Sequence, residues 1–299
     1  MKLSRIFHRL GTLLIVCLVL AVLLLAVGAA AYASQFSDRA ETPEAYRYSE
    51  AQFPALTAVT ISYTNHSNDR MSGCLYTAEG VEPDGLIVFA HGMGCGHRAY
   101  LNVISFFADN GYAVFAYDAS GYDSSGGTST RGVQQAVLDL DAAITVAELM
   151  TKDADLPVFL FGHSLGAYAA CAVLAEHPEV RAVASLAGFN STADLLKARY
   201  GFAGLLLTPG ALLWERLRFG SAAEDSAMKG FAASDARVLI VHSSDDNEVP
   251  IECGLDLYAS AYESDPRFTL LRLDGKGHGG LFTGDVPAAC LALFDACKE

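Results

Sequence analysis

Residues 156–166, Leu-Pro-Val-Phe-Leu-Phe-Gly-His-Ser-Leu-Gly, contain the stretch that decides the fold. The apolar run 156–161 is typical of a buried strand, and the alanine-rich run 167–175 is typical of a helix. Between them, Ser164 lies at the centre of a G-x-S-x-G pattern, whose two glycines permit a very tight turn. A strand that turns at a serine directly into a helix predicts that Ser164 is a nucleophile.

On both sides of this turn, strand and helix patterns alternate along the chain. Apolar runs predict strands at 57–63, 71–77, 86–90, 112–117, 182–187, 238–241 and 268–273. Helices are predicted at 100–109, 133–150 and 286–296. The first two strands are expected to form an antiparallel hairpin. Alternating elements of this kind predict an α/β fold, in which a mostly parallel sheet is flanked by helices on both faces.

The N-terminal segment, residues 1–33, has a different character. Its run 10–33 carries no charge, and as a helix it would measure roughly 35 Å, enough to cross a bilayer core of about 30 Å. Basic residues precede the run, so the chain after residue 34 should lie outside the cytoplasm. The length favours a retained anchor and a single-pass protein of the cell membrane. The alternative is a signal peptide cleaved at Ala31-Tyr32-Ala33, which would give a secreted protein.

The rest of the chain is predicted to be a linker, residues 34–54, followed by one large domain, residues 55–299. The chain has a formal net charge of −14 and no basic stripe, which argues against nucleic acid as a partner. Its seven cysteines include no C-x-x-C pair, so the pattern indicates no metal site or redox motif. The sequence leaves the pairing of Cys74, Cys95 and Cys253 open.

The segment 189–236 interrupts the alternation, because it has no strand pattern. We expect it to be a helical cap inserted over the C-terminal edge of the sheet, where open α/β sheets place their sites. Its apolar side chains are predicted to bind an acyl chain: Leu205, Leu206, Leu212 and Trp214. The alternative is a pair of ordinary packing helices with no role in binding.

Ser164 needs a base and an orienting acid, because a serine hydroxyl is a weak nucleophile. In this kind of site the acid and then the histidine follow the serine along the chain. His278, among glycines after the strand at 268–273, is the predicted base. Asp246 or Asp245, which follow the strand at 238–241, would orient its imidazole.

Two backbone N–H groups are predicted to form an oxyanion hole. One belongs to Leu165, directly after the nucleophile. The other is assigned to Met93 in His91-Gly92-Met93-Gly94, where glycines allow the backbone to approach an oxyanion closely.

These motifs resemble the α/β-hydrolase superfamily over nearly all of residues 55–299, most closely the capped, membrane-anchored serine hydrolases related to monoacylglycerol lipases. Residues 91–94 resemble their H-G-x-G loop. Residues 111–124 resemble their G-Y-x-V-x-x-x-D-x-R-G-x-G-x-S segment, although this chain lacks the arginine and has Asp123 in place of a glycine. The family's H-G-x-x-D-x-x-V-P pattern is matched by His242, Asp246, Val249 and Pro250, which favours Asp246 over Asp245.

The resemblance implies hydrolysis of carboxylic esters through an acyl-enzyme, with no cofactor and no metal. The expected partners are a small-molecule ester, with lipid-like acyl esters as one candidate class, and the membrane that holds the N-terminal helix. Two alternatives remain open from the sequence. The same triad serves peptidases and acyltransferases, and a catalytically silent binding protein can share this fold.

Overall fold

The computed structural model describes residues 2–298, with side chains from residue 7 onward. Its strands, in chain order, are β1 (Leu56–Thr64), β2 (Arg70–Ala78), β3 (Gly85–Ala90), β4 (Tyr112–Asp118), β5 (Val158–His163), β6 (Val180–Leu186), β7 (Arg237–Ser243) and β8 (Phe268–Leu273). Its helices are α1 (Lys2–Ser34), α2 (Leu101–Asp109), α3 (Val133–Thr151), α4 (Leu165–Ala172), α5 (Thr192–Phe219), α6 (Ala227–Ala233), α7 (Leu255–Tyr262) and α8 (Val286–Asp295).

The strands form one eight-stranded sheet in the order β1-β2-β4-β3-β5-β6-β7-β8. Strand β2 runs antiparallel to both β1 and β4, and every later neighbour pair is parallel. The predicted α/β fold with a mostly parallel sheet is therefore confirmed. Because the parallel strands share one C-terminal edge, the loops that follow β3, β5, β7 and β8 lie along the same side of the sheet.

The sheet is covered on both faces, so its central strands are buried throughout. In β3, Leu86 and Val88 belong to the core beneath α3 and α4, whereas Ile87 and Phe89 belong to the core beneath α2 and α8. This alternation follows from the two-residue period of a strand. It explains why β3, β4 and β5 are continuous apolar runs rather than alternating ones.

Helix α1 contains a long apolar segment that is almost entirely exposed. Over Phe7–Ser34 its most apolar window has a mean hydropathy of 3.2 and is 6% buried, and the helix is long enough to cross a membrane. Its C-terminal end is different, because Tyr32 in the helix and Phe36 just beyond it are each only 4% exposed and belong to the main core. The Tyr32 hydroxyl accepts a hydrogen bond from the Val133 N–H and donates one to Glu215.

The predicted insertion between β6 and β7 is helical, as expected. It consists of α5, a short 3-10 turn at Gly220–Glu224, and α6. Helix α5 bends at Gly201, whose φ of 54° is outside the helical range. Its second half crosses α1 at very short range, since a Cβ on Gly210 would lie 2.2 Å from the carbonyl oxygen of Leu25.

Candidate active site

Ser164 occupies a strained turn between β5 and α4. Its φ of 56° and ψ of −118° are rare for a residue with a side chain, and its N–H donates to the Leu186 carbonyl at 2.8 Å. The positions on either side of the serine must be glycine, because neither has room for a Cβ atom. A Cβ on Gly162 would lie 2.4 Å from the Gly166 carbonyl oxygen, and one on Gly166 would lie 2.1 Å from that of Ala90. This turn presents the serine side chain at the C-terminal edge of the sheet.

The structure brings Ser164, His278 and Asp246 into one hydrogen-bonded chain. Ser164 Oγ lies 2.9 Å from His278 Nε2, and His278 Nδ1 lies 2.8 Å from Asp246 Oδ2. A carboxylate only accepts, so Nδ1 carries the proton and Nε2 is free to accept the serine proton. This geometry allows His278 to act as a general base toward Ser164.

Asp246 is buried and held by several donors. Its Oδ1 accepts the N–H groups of Glu248 and Val249, each at 2.9 Å. Burial by itself would raise the pKa of Asp246, but hydrogen bonds from His242, His278 and the backbone hold that pKa well below its usual range. The carboxylate is therefore ionised at neutral pH and can stabilise an imidazolium.

The neighbouring Asp245 makes its hydrogen bonds to groups other than the His278 imidazole. It is exposed, and its Oδ1 accepts from the Gly277 N–H at 3.1 Å and from the Ser243 hydroxyl. Its contacts stabilise the loop that carries His278 rather than the imidazole itself. Of the two sequence candidates for the acid, only Asp246 contacts the histidine.

The predicted oxyanion donors belong to two loops that meet at Ser164. Leu165 is the first residue of α4, where a backbone N–H has no partner within the helix. Met93 lines the cavity that contains Ser164. The Nε2 of His91 accepts the Ala119 N–H at 2.9 Å, so its Nδ1 carries the proton and donates to the Gly92 carbonyl at 2.8 Å. That bond fixes the Gly92–Met93 peptide, whose N–H is the predicted donor.

Sequence reasoning missed a second hydrogen-bonded chain, through His163 and Tyr100. The Nε2 of His163 lies 2.9 Å from the carbonyl oxygen of His278, so it carries the proton, and Nδ1 accepts from the Tyr100 hydroxyl at 2.9 Å. The same hydroxyl accepts the Gly92 N–H at 3.2 Å. Burial, followed by the charge of His278, lowers the pKa of His163 to about 4, which keeps the ring neutral at pH 7.

This chain connects the loop with the predicted oxyanion donor to the loop with the predicted base. The G-x-S-x-G pattern leaves the residue before the serine unspecified, so it gave no reason to assign a role to His163.

A cavity of about 480 Å³ opens over Ser164 and His278. One wall comes from the predicted linker, through Ala45, Tyr46, Arg47, Tyr48 and Gln52. This segment is fastened to the domain, because the Tyr48 N–H donates to the Arg98 carbonyl at 3.2 Å and Arg98 pairs with Glu50 at 2.6 Å. The sequence contained one sign of local order here, a capping-box spacing from Ser49 to Gln52 that the structure forms.

The structure corrects the predicted position of the acyl-binding residues. The residues that line the cavity over Ser164 do not include Leu205, Leu206, Leu212 or Trp214. Leu205 is 56% exposed, and the Trp214 ring packs edge-on against Tyr32 with centroids 5.5 Å apart. The reason is that α5 lies along α1 rather than over the serine.

Residues 81–223 match the family described as "Serine aminopeptidase, S33". Together with the sheet order and the tight turn at Ser164, this match shows that the chain has the α/β-hydrolase fold. Among its relatives, ABHD12B of Homo sapiens is 32% identical over 202 residues, which cover 63% of this chain and 53% of that protein. The chain thus spans about half the length of that relative.

Two solved structures share the fold. An esterase of Pyrococcus furiosus superposes with a TM-score of 0.69 at 19% identity, covering 88% of this chain and 100% of that one. A puromycin-hydrolyzing peptidase of Mycobacterium tuberculosis superposes with a TM-score of 0.61 at 16% identity, covering 81% of this chain and 40% of that one. Identities this low carry information about the fold alone.

Proposed function

We propose that this protein hydrolyses carboxylic esters with Ser164 as nucleophile, His278 as base and Asp246 as the orienting acid. The observation that supports this most directly is the continuous chain of hydrogen bonds, with 2.9 Å between Ser164 and His278 and 2.8 Å between His278 and Asp246. These hydrogen bonds end at Ser164, which faces an open cavity of about 480 Å³, a size typical of small-molecule sites.

The proposed reaction has two halves. Ser164 Oγ attacks the ester carbonyl while His278 Nε2 takes its proton, and Asp246 stabilises the resulting imidazolium. The oxyanion accepts hydrogen bonds from the N–H groups of Met93 and Leu165, each worth about 3 kcal/mol in the transition state. The alcohol leaves with the proton from His278. Water then attacks the acyl-enzyme by the same route and releases the acid.

The chemistry of the cavity wall supports an ester with an apolar acyl group. Tyr46, Tyr48 and Tyr100 contribute aromatic rings to the wall. The cationic Arg47 is already occupied by Asp123, 3.2 Å away. Aromatic surface favours acyl carbon chains, because each buried methylene is worth about 0.8 kcal/mol.

A peptidase with the same residues is the second candidate, since the matching family is described as a serine aminopeptidase. The two candidates differ in the leaving group that His278 must protonate, an alcohol or an amine. The turnover of matched acetyl and octanoyl esters and amino-acyl anilides would distinguish them. Because esters are intrinsically more reactive than amides, the anilides decide between the two. Anilide turnover no higher than that of Ser164→Ala supports the esterase, and anilide turnover that depends on Ser164 supports the peptidase.

Labelling with a fluorophosphonate probe tests whether the site is active at all. Wild type should be labelled, and Ser164→Ala should not. An unlabelled but folded wild-type protein would mean that the chain is a binding protein of this fold.

We also propose that α1 is retained as a membrane anchor, with the hydrolase domain on the extracytoplasmic side. Cleavage after Ala33 would remove Tyr32, whose ring is buried in the core and whose hydroxyl bonds to the buried Glu215. The loss would leave Glu215 without that donor, which is costly for a buried acid. The protein should stay in the membrane fraction after alkaline washing. Recovery only of chains that begin at Ser34 would establish a cleaved signal peptide.

A further inference from the structure

The second half of α5 has an inverted distribution of side chains. Its buried positions are small or polar: Gly204, Thr208, Ala211 and Glu215. Its large exposed apolar side chains form a line along the opposite side, which we call the α5 stripe: Phe202, Leu205, Leu206, Leu213 and Leu217. Phe202 is 75% exposed and Leu217 is 80% exposed. A helix in contact with water normally shows the reverse arrangement, with apolar side chains facing the core.

The stripe lies beside the apolar part of α1. A Cβ on Gly28 would lie 2.4 Å from the carbonyl oxygen of Leu207, so the two helix backbones touch at their crossing. Close crossings at small residues of this kind are typical of helices that pack within membranes. Trp214 and Glu215 then contact Tyr32, near the end of α1.

The crossing point fixes the depth of α5 relative to α1. A hydrocarbon core of about 30 Å takes up about 20 helical residues, so a span that starts at Leu10 ends near Ala29. Gly28 therefore lies at the outer edge of that core. Since Gly210 touches α1 at this level, the middle of α5 has to lie at the boundary between acyl chains and headgroups.

The charged residues around the α5 stripe are also consistent with a position at the boundary between acyl chains and headgroups. The only acidic side chain between Lys197 and Arg218 is Glu215, which is fully buried. Lys197 and Arg218, both exposed, lie beyond the two ends of the stripe. Long basic side chains at such ends can extend to phosphate headgroups, even on a protein whose net charge is −14.

We propose that the α5 stripe inserts into the outer leaflet beside α1, so that the protein contacts the bilayer through two elements. The proposal rests on the retention of α1 as a span and is independent of the hydrolase reaction. A second contact would prevent the domain from rotating freely about the axis of α1.

The chain contains a natural probe, because Trp214 is its only tryptophan and lies on α5. Full-length protein would be reconstituted in phosphatidylcholine vesicles with or without bromine on the acyl carbons nearest the headgroup. We expect bromine to reduce Trp214 emission by about half or more, as for a helix buried about 5–10 Å into the interface. The triple variant Leu205→Ser, Leu213→Ser, Leu217→Ser should lose most of this quenching. A matched control, Val59→Ser with Leu149→Ser, changes exposed apolar residues on β1 and α3 and should keep it.

The possible outcomes separate this proposal from the others. Protein that floats with the vesicles but shows no quenching overturns the insertion of α5 alone. Protein that does not float overturns both the anchor and the α5 contact. If wild type is not quenched and forms a dimer, while the triple variant is monomeric, a second copy of the protein covers the α5 stripe, and insertion into the leaflet is overturned. Fluorophosphonate labelling of the triple variant at the wild-type rate is expected, and it reports on the hydrolase proposal separately.

Discussion

At the scale of single residues, the proton positions of the site follow from groups that can only accept or only donate. The carboxylate of Asp246 places the His278 proton on Nδ1, and the carbonyl of His278 places the His163 proton on Nε2. The Ala119 N–H leaves the His91 proton on Nδ1. Each of these histidines is thereby held in one tautomer, which is the state that the proposed reaction needs.

The first prediction concerns the proposed triad. Ser164→Ala should lower ester turnover by at least about 1,000-fold, because it removes the nucleophile. Asp246→Asn should cost about 10⁴-fold, since an amide can hold the imidazole in the wrong tautomer. Asp245→Asn should cost less than about tenfold, because an amide oxygen can still accept from Gly277. Steady-state kinetics with a chromogenic ester measure all three, and equal losses at positions 245 and 246 would contradict the assignment of the acid.

The second prediction concerns Tyr100, which connects the two loops of the site. Tyr100→Phe removes the donor to His163 and the acceptor for the Gly92 N–H. Because each lost hydrogen bond is worth about 1 kcal/mol, kcat should fall about 5- to 30-fold while the protein remains folded. Tyr46→Phe is the control, since its ring also lines the cavity but is 66% exposed. A similar loss in both variants would mean that Tyr100 acts only as part of the cavity wall.

At the scale of elements, the site is built by loops at one edge of the sheet and closed by a segment far from them in sequence. The loops after β3, β5, β7 and β8 carry the proposed catalytic groups. Residues 45–48 and Gln52, from the segment that the sequence indicated only as a linker, form one wall of the cavity. The contact of Tyr48 with Arg98 that fixes this wall is a long-range pairing that no local periodicity encodes.

The third prediction tests which element binds the acyl chain. Tyr46→Ala should lower the ratio of kcat/KM for octanoate over acetate esters by about 4- to 15-fold, the value of one or two lost methylene contacts. Leu205→Ala should leave that ratio unchanged, because Leu205 is exposed and does not line the cavity. An unchanged ratio in Tyr46→Ala together with a lower ratio in Leu205→Ala would indicate that α5 binds the acyl chain, as the sequence predicts.

At the scale of the whole molecule, the sequence predicts those elements whose apolar residues recur with the spacing of a strand or a helix. The buried strands and their covering helices follow from apolar runs, and the tight turn at Ser164 follows from a motif that leaves no room for a side chain at either glycine. The position of α5 was not predictable in this way. Its leucines were interpreted as a pocket lining because apolar side chains usually face inward, whereas here the small residues face inward and Leu205 and Leu217 face out.

The last prediction concerns Glu215, where α5 meets the end of α1. Burial raises the pKa of Glu215 from 4.5 to about 7, although hydrogen bonds from Tyr32 and Thr192 oppose that rise. A folded-state pKa above the unfolded one means that the contribution to stability is complete below about pH 4.5 and is lost as the pH rises through about 7. Glu215→Gln carries no such proton. The melting temperature of wild type in detergent should therefore fall relative to this variant by roughly 5 °C between pH 5 and pH 8.5.

Glu224→Gln is the matched control for that measurement, because Glu224 is exposed and lies just beyond α5. Its melting curve should follow wild type at every pH. Parallel curves for wild type and Glu215→Gln would mean that Glu215 is hydrated and that the end of α1 does not seal it. Tyr32 is the α1 residue that donates a hydrogen bond to Glu215. If α1 remains attached, Tyr32→Phe should therefore enlarge the fall in melting temperature as the pH rises. Cleavage after Ala33 would remove residue 32, so the cleaved variant and the cleaved wild type would have the same pH profile. The comparison therefore also reports on whether the anchor is retained.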